Sequence, residues 1–275
     1  MIDERAREPL MQLRISANFA FEFDQPTDAL LQFEAAAIPE QTIHSARTQL
    51  SETEYMARVP AQDSIGERIW LRADGRCEVA YEAVAEPHRL RSGIASLAQL
   101  AAHRLPGETI EYLLDSRYCP ASRFQPFVDA EFSGTSGGAR IEAIRSWIAQ
   151  TLAYAPGSSD AGTDAVATFI ARRGICRDFA HLLVTFARAS AIPARYVACF
   201  APGVTPQDFH AVAEVFLPDP SQPDGGAWQL VDATGMADAT DIVKIGVGRD
   251  AADVSFLTSF GPNRFLSSEI AVEQV

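Results

Sequence analysis

Arg173-Gly174-Ile175-Cys176-Arg177-Asp178-Phe179-Ala180-His181-Leu182 reads as a helix that opens on a cysteine, and the rest of the chain is best read outward from it. Phe179, Leu182, Leu183, Phe186 and Ala187 recur at the three-and-four spacing of a buried helical face. Cys176, three residues before Phe179, belongs to that inward stripe. In the first helical turn it also sits among unpaired N–H groups, at the end of the macrodipole that stabilises an anion. This placement favours the thiolate, the reactive form of cysteine. Arg172 and Arg173 are expected to add positive potential just upstream. Cysteine also packs as a small apolar side chain, so identity alone does not assign a role.

Three strand-like stretches follow Ile192-Pro193, at Ala194–Ala201, His210–Leu217 and Ala227–Asp232. His210 begins the second, where an imidazole can project into a cleft against a neighbouring helix start and exchange a proton with a thiol. Asp232 ends the third behind the apolar approach Trp228-Gln229-Leu230-Val231, and a carboxylate there can fix the tautomer and orientation of a histidine. Taken singly, His210 reads equally as a satisfied strand histidine and Asp232 as a turn former. His181 is nearer to Cys176 in sequence, but five residues along a helix is about 140° around its axis. It therefore takes another face, in packing or a hydrogen bond.

Upstream, helices are expected at about Ala139–Ala153 and Thr163–Arg172, after the Gly/Ser-rich loop Ser133–Gly138. Helices followed by consecutive strands predict an α+β domain. From Leu13 to about Val84 the chain instead reads as strands and turns, including a hairpin of Arg68–Arg72 and Cys77–Tyr81 about Asp74-Gly75. This half is expected to be an all-β, sandwich-like domain without chemistry of its own. A short helical patch near Ile94–Ala102 leads to the domain change, placed at the 104/105 junction: residues 1–104 before it, 105–275 after it.

The composition is that of an ordinary globular protein, with 275 residues, 47% hydrophobic and 21% charged. Thirty-six acidic against 23 basic residues leave a net charge of −13, which disfavours nucleic-acid binding because phosphates require clustered positive charge. Met1–Pro9 mixes both charges with no apolar stretch behind it, and no run approaches the ~20 apolar residues of a membrane span. A cytoplasmic protein, without nucleic-acid or membrane partners, is the expectation. Cys77, Cys119, Cys176 and Cys199 contain no C-x-x-C pair, so neither a disulfide scaffold nor a zinc site is expected.

Gly174-Ile175-Cys176-Arg177-Asp178-Phe179-Ala180-His181-Leu182, Ile192-Pro193-Ala194-Arg195-Tyr196-Val197, Asp208-Phe209-His210-Ala211 and Trp228-Gln229-Leu230-Val231-Asp232-Ala233-Thr234 together resemble the bacterial transglutaminase-like superfamily. The resemblance covers roughly Leu105 to Val275. It implies a papain-like cysteine-hydrolase core, with Cys176 as nucleophile, His210 as acid/base and Asp232 as its partner, acting without a cofactor or metal. Leu113–Cys119 and Gly246–Asp253 are similar to segments of bacterial two-domain members that carry an N-terminal β-sandwich. These make Tyr118, Arg249 and Asp250 weaker substrate-binding candidates. Asp232-Ala233-Thr234 departs from the family's frequent Asp-Pro-Thr, Arg177 stands where animal transglutaminases have Trp, and no calcium loop is evident.

The expected activity is acyl transfer from a peptide or protein through a thioester, with hydrolysis favoured over crosslinking. The alternatives are a catalytically inactive binding or assembly module and, more weakly, a metal site using Cys176, His181 or His210, which no paired-ligand spacing supports.

Overall fold

The computed structural model describes residues 11–89, 93–219 and 225–275; the N-terminal reading of Met1–Pro9 lies outside them. Two antiparallel sheets carry the fold. The first contains six strands: β1 (Leu13–Leu31), β2 (Gln41–Leu50), β3 (Tyr55–Pro60), β4 (Glu67–Pro87) and, from the far end of the chain, β11 (Leu257–Ser259) and β12 (Asn263–Gln274). Both β11 and β12 pair with β1, so this sheet draws strands from either side of the 104/105 junction.

In β1, Leu13, Ile15, Ala17, Phe19, Phe21 and Phe23 are buried, with exposed or half-buried residues mostly between them, as the two-residue strand period requires. The expected hairpin about Asp74-Gly75 is instead one continuous strand, β4. Residues on both sides of Gly75 pair with β1, Phe21 opposite Cys77 and Ala29 opposite Leu71. The register shifts between Phe23 and Thr27, opposite Gly75 and Ala73, and Gly75 has φ +68°. A dipeptide suited to a turn thus serves a bulge that re-aims both long strands while keeping their apolar faces inward.

The second sheet contains β7 (Ala194–Phe200), β8 (His210–Pro218), β9 (Gly226–Val231) and β10 (Val243–Gly248), in the order β10-β7-β8-β9. Helices α1 (Gln125–Glu131), α2 (Gly137–Thr151), α3 (Ala165–Ala171) and α4 (Cys176–Ala189) precede it, with the two-residue strands β5 (Ala153–Tyr154) and β6 (Arg173–Gly174) pairing in parallel between them. Leu183, Phe186 and Ala187 of α4 pack with Val215 and Leu217 of β8 and Ile144 and Ile148 of α2 in one core. Every residue of β8 from His210 to Leu217 is buried, consistent with a strand covered on both faces.

The patch near Ile94–Ala102 forms two separate 3-10 turns, Ile94–Ser96 and Ala102–Arg104. Between them the chain is held by tertiary contact, with the Gly138 N–H donating to Leu97 O at 2.9 Å while Ile94 and Leu97 pack on the helical core. Phe200, Val243 and Ile245 of the second sheet enter the core of the first. A buried ion cluster joins the same regions: Glu214 on β8 accepts from Arg195 Nε at 2.8 Å and pairs with Lys244, while Arg195 Nη1 reaches Asp63 at 2.8 Å.

Candidate active site

The Cys176 helix begins where sequence alone puts it, and its start is fixed by local chemistry. Ile175 is extended, and its N–H donates to Asp178 Oδ2 at 2.9 Å. Asp178 is fully buried; its Oδ1 accepts from Arg177, which also donates to Asp160 O. A Cβ on Gly174 would lie 2.7 Å from Asp178 Cβ, so only glycine leaves room for this cap. Arg172 is directed elsewhere than expected: its guanidinium lies 4.1 Å from the Phe169 ring centre and 4.9 Å from that of Trp147. The cation that lines the site is Arg177.

His210, at the start of β8, lies opposite Cys199 of β7. Its Nε2 is 3.1 Å from Asp232 Oδ2, and both side chains are almost wholly inaccessible. Asp232 follows the last residue of β9. Its Oδ2 also accepts from Ala237 N at 2.8 Å, and its Oδ1 accepts from Thr234 N and Oγ1 at 2.8 and 2.7 Å. Burial alone would raise this carboxyl, but the His210 contact and these donors hold it below the usual range. Burial likewise works against a charged His210; the Asp232 and Cys176 side chains outweigh it and raise the imidazole to about 9.

The other ring nitrogen, Nδ1, neighbours the Cys176 side chain and has no formed hydrogen bond among the described residues. Cys176 Sγ lies 4.0 Å from Phe209 O. The arrangement gathers a thiol at a helix start, an imidazole beside it and a carboxylate behind the imidazole.

Cys176 and His210 line a cavity of 490 Å³ with Tyr118, Tyr154, Asp208 and Phe256. Val204 and Pro206, from the loop between β7 and β8, also line it. A larger depression of 720 Å³, over β1, β4 and β12, contains none of these side chains. Cys176 is half-buried, whereas Cys77, Cys119 and Cys199 are buried. Burial pushes the Cys77 thiol up to about 11 and the Cys119 thiol to about 12, and also raises Cys199.

Of the weaker candidates, Tyr118 lines the cavity, its hydroxyl donating to Ala161 O at 2.8 Å. Asp250 is buried and accepts from the Tyr118 N–H at 2.8 Å, while Arg249 pairs with Asp253. His181 supports this edge: its Nε2 accepts from Ala251 N at 3.1 Å, its ring stacks on Tyr118, and burial lowers it to about 3. Sequence reasoning missed Tyr154, whose phenol is raised to about 12 by burial and the adjacent Cys176. It lies on a two-residue strand that carries no periodic signal.

Residues 128–233 match the model of the Transglutaminase-like superfamily, a span that includes Cys176, His210 and Asp232. A solved structure from Cytophaga hutchinsonii, described as a candidate cysteine protease, is similar over 98% of this chain and 92% of its own, at 26% identity and a TM-score of 0.87. Residues 128–233 form a transglutaminase-like segment. Uncharacterized proteins of Mycobacterium leprae and Mycobacterium tuberculosis are also similar, at 28% identity over 120 residues and 33% over 128. Each alignment takes in 42% of this chain, and about two fifths of the mycobacterial relative, 42% and 40% respectively. The matched span 128–233 holds the thiol, imidazole and carboxylate.

Proposed function

We propose that this protein is a cysteine-dependent acyl-transfer enzyme acting on peptide or amide bonds, and that hydrolysis is its main reaction. The observation that carries this reading is the placement of His210 between Asp232 and the Cys176 thiol, in a cavity able to hold a substrate. An imidazole raised to about 9 is protonated at neutral pH, the form that can give a proton to a departing amine.

Cys176 Sγ attacks the carbonyl carbon, and backbone N–H groups at the start of α4 stabilise the resulting oxyanion. His210 gives its proton to the departing amine as the C–N bond breaks, leaving a thioester on Cys176. Water then loses a proton to His210 and attacks the thioester, releasing the acid and the thiol. Asp232 keeps the ring oriented and favours its charged form. Water serves as acceptor without a second substrate site, which favours hydrolysis over crosslinking. A cytoplasmic setting, where thiols stay reduced, belongs to the same reading.

The competing reading is a binding module on the same fold, and the unpaired Nδ1 of His210 is the observation in its favour. A mixture of unfolded proteins offered as substrate separates the two: release of new amino groups is expected from the wild type and lost in Cys176→Ala. Equal release by both proteins would contradict the nucleophile, and no release by either would favour the binding module.

A further inference from the structure

Gln32 directly follows β1, its N–H donating to Phe256 O at 3.2 Å. The residue is 3% exposed, yet neither Nε2 nor Oε1 has a hydrogen-bond partner among the described residues. Gln41, equally buried, is fully used: its Nε2 donates to Ala36 O and Lys244 O at 2.7 and 2.9 Å, and its Oε1 accepts from Lys244 N at 2.8 Å. Leaving both poles of a buried amide unpaired is costly, and such groups in native proteins usually have a functional reason.

Gln32 lines the same cavity as Cys176, beside Ile245, Ala198 and Phe256. The fold makes room for its amide, since a Cβ on Gly246 would lie 2.4 Å from Nε2. These cavity side chains are apolar and supply no partner for the Gln32 amide, which leaves the cavity as the route by which a pairing group reaches it. A carboxamide oxygen is an acceptor, and a peptide unit entering the cavity offers an N–H to pair with it.

We propose that Gln32 is a specificity-determining residue lent to the active site by the first sheet, reading a peptide unit of the acyl donor next to the bond that is broken. Oε1 accepts from that unit's N–H, and an adjoining apolar side chain lies against Phe256 and Ile245. The substrates are therefore peptides rather than small amides. This rests on the reading of Cys176 as the nucleophile.

The test uses two irreversible probes, benzyloxycarbonyl-leucyl-phenylalanine vinyl sulfone and its analogue in which an ester oxygen replaces the N–H between the two residues. Cys176 Sγ bonds to the β-carbon of the vinyl group and the α-carbon takes the proton, so nothing leaves. The ratio of inactivation rate constants, amide over ester, is taken within each protein, so a general change in thiol reactivity cancels. The wild type is expected to prefer the amide by about tenfold or more, because a site built to pair an N–H rejects an analogue lacking it. In Gln32→Leu the ratio should fall to about one.

If Gln32→Leu does not fold, Gln32→Asn, which withdraws the same amide by one methylene, provides the same readout. A preference retained in either variant overturns the proposal, as does a wild type that reacts equally with both probes or with neither. Failure of the nucleophile reading is recognised separately, by iodoacetamide alkylation of Cys176 that does not depend on His210.

Discussion

Glu214 lies on the strand that begins with His210, and replacing it with glutamine tests the buried ion cluster that ties that strand to β7 and β10. Its carboxylate is fully buried between Arg195 and Lys244, themselves 3% and 1% exposed. Burial would raise this acid, but the two cations lower it to about 2 from 4.5. A shift of that size corresponds to about 3 kcal/mol of folding stability, and removing one partner of a buried ion pair costs roughly 3–5 kcal/mol. Because the folded value lies below the unfolded one, this stability is present above about pH 4.5 and lost as pH falls towards about 2. Glu214→Gln should lower the melting temperature at neutral pH by on the order of 10 °C, and the gap should narrow in acid. Thermal unfolding followed by circular dichroism across that range measures both. A variant as stable as the wild type at neutral pH, or a gap that stays constant down to about pH 2, would refute the assigned role of the cluster.

Native protein treated with iodoacetamide should gain one adduct, on Cys176, because the other three thiols are buried; mass spectrometry of the digested protein locates it. Asp178→Ala removes the carboxylate that accepts from Ile175 N and should cost about 0.5–2 kcal/mol, read by urea unfolding. The stability contributed by the raised His210 is complete below about 6.5 and is lost as pH rises through about 9, so Asp232→Asn should flatten that decline in a melting-temperature profile.

The elements nearest the chemistry were the most legible. Cys176 begins a helix, His210 begins a strand and Asp232 follows a strand, each at the residue where apolar periodicity starts or stops. Periodicity is local, and these placements are local facts. What escaped depends on distant partners. Asp74-Gly75 has the chemistry of a turn, and only pairing with β1 on both sides converts it to a bulge. Leu257–Ser259 and Asn263–Gln274 return to the first sheet through a pairing that neither segment announces. Arg172 reads as an upstream charge for Cys176 but stacks on Phe169 and Trp147, because Trp147 arrives from a helix earlier in the chain. Gln32 is an unremarkable polar residue after an alternating strand, and only the approach of Gly246 and Phe256 makes it a buried, unpaired amide in the cavity.

The central claim is that His210, charged through its contact with Asp232, activates Cys176. Its most direct test is the rate of Cys176 alkylation by iodoacetamide from about pH 5 to about pH 9 in wild type and His210→Ala, with folding verified and the adduct located by mass spectrometry. The account predicts that the wild type keeps a substantial rate at the acidic end, well below the ~8.5 of a free thiol, and that His210→Ala loses it. Superimposable profiles, both rising only as a free thiol ionises, would contradict it.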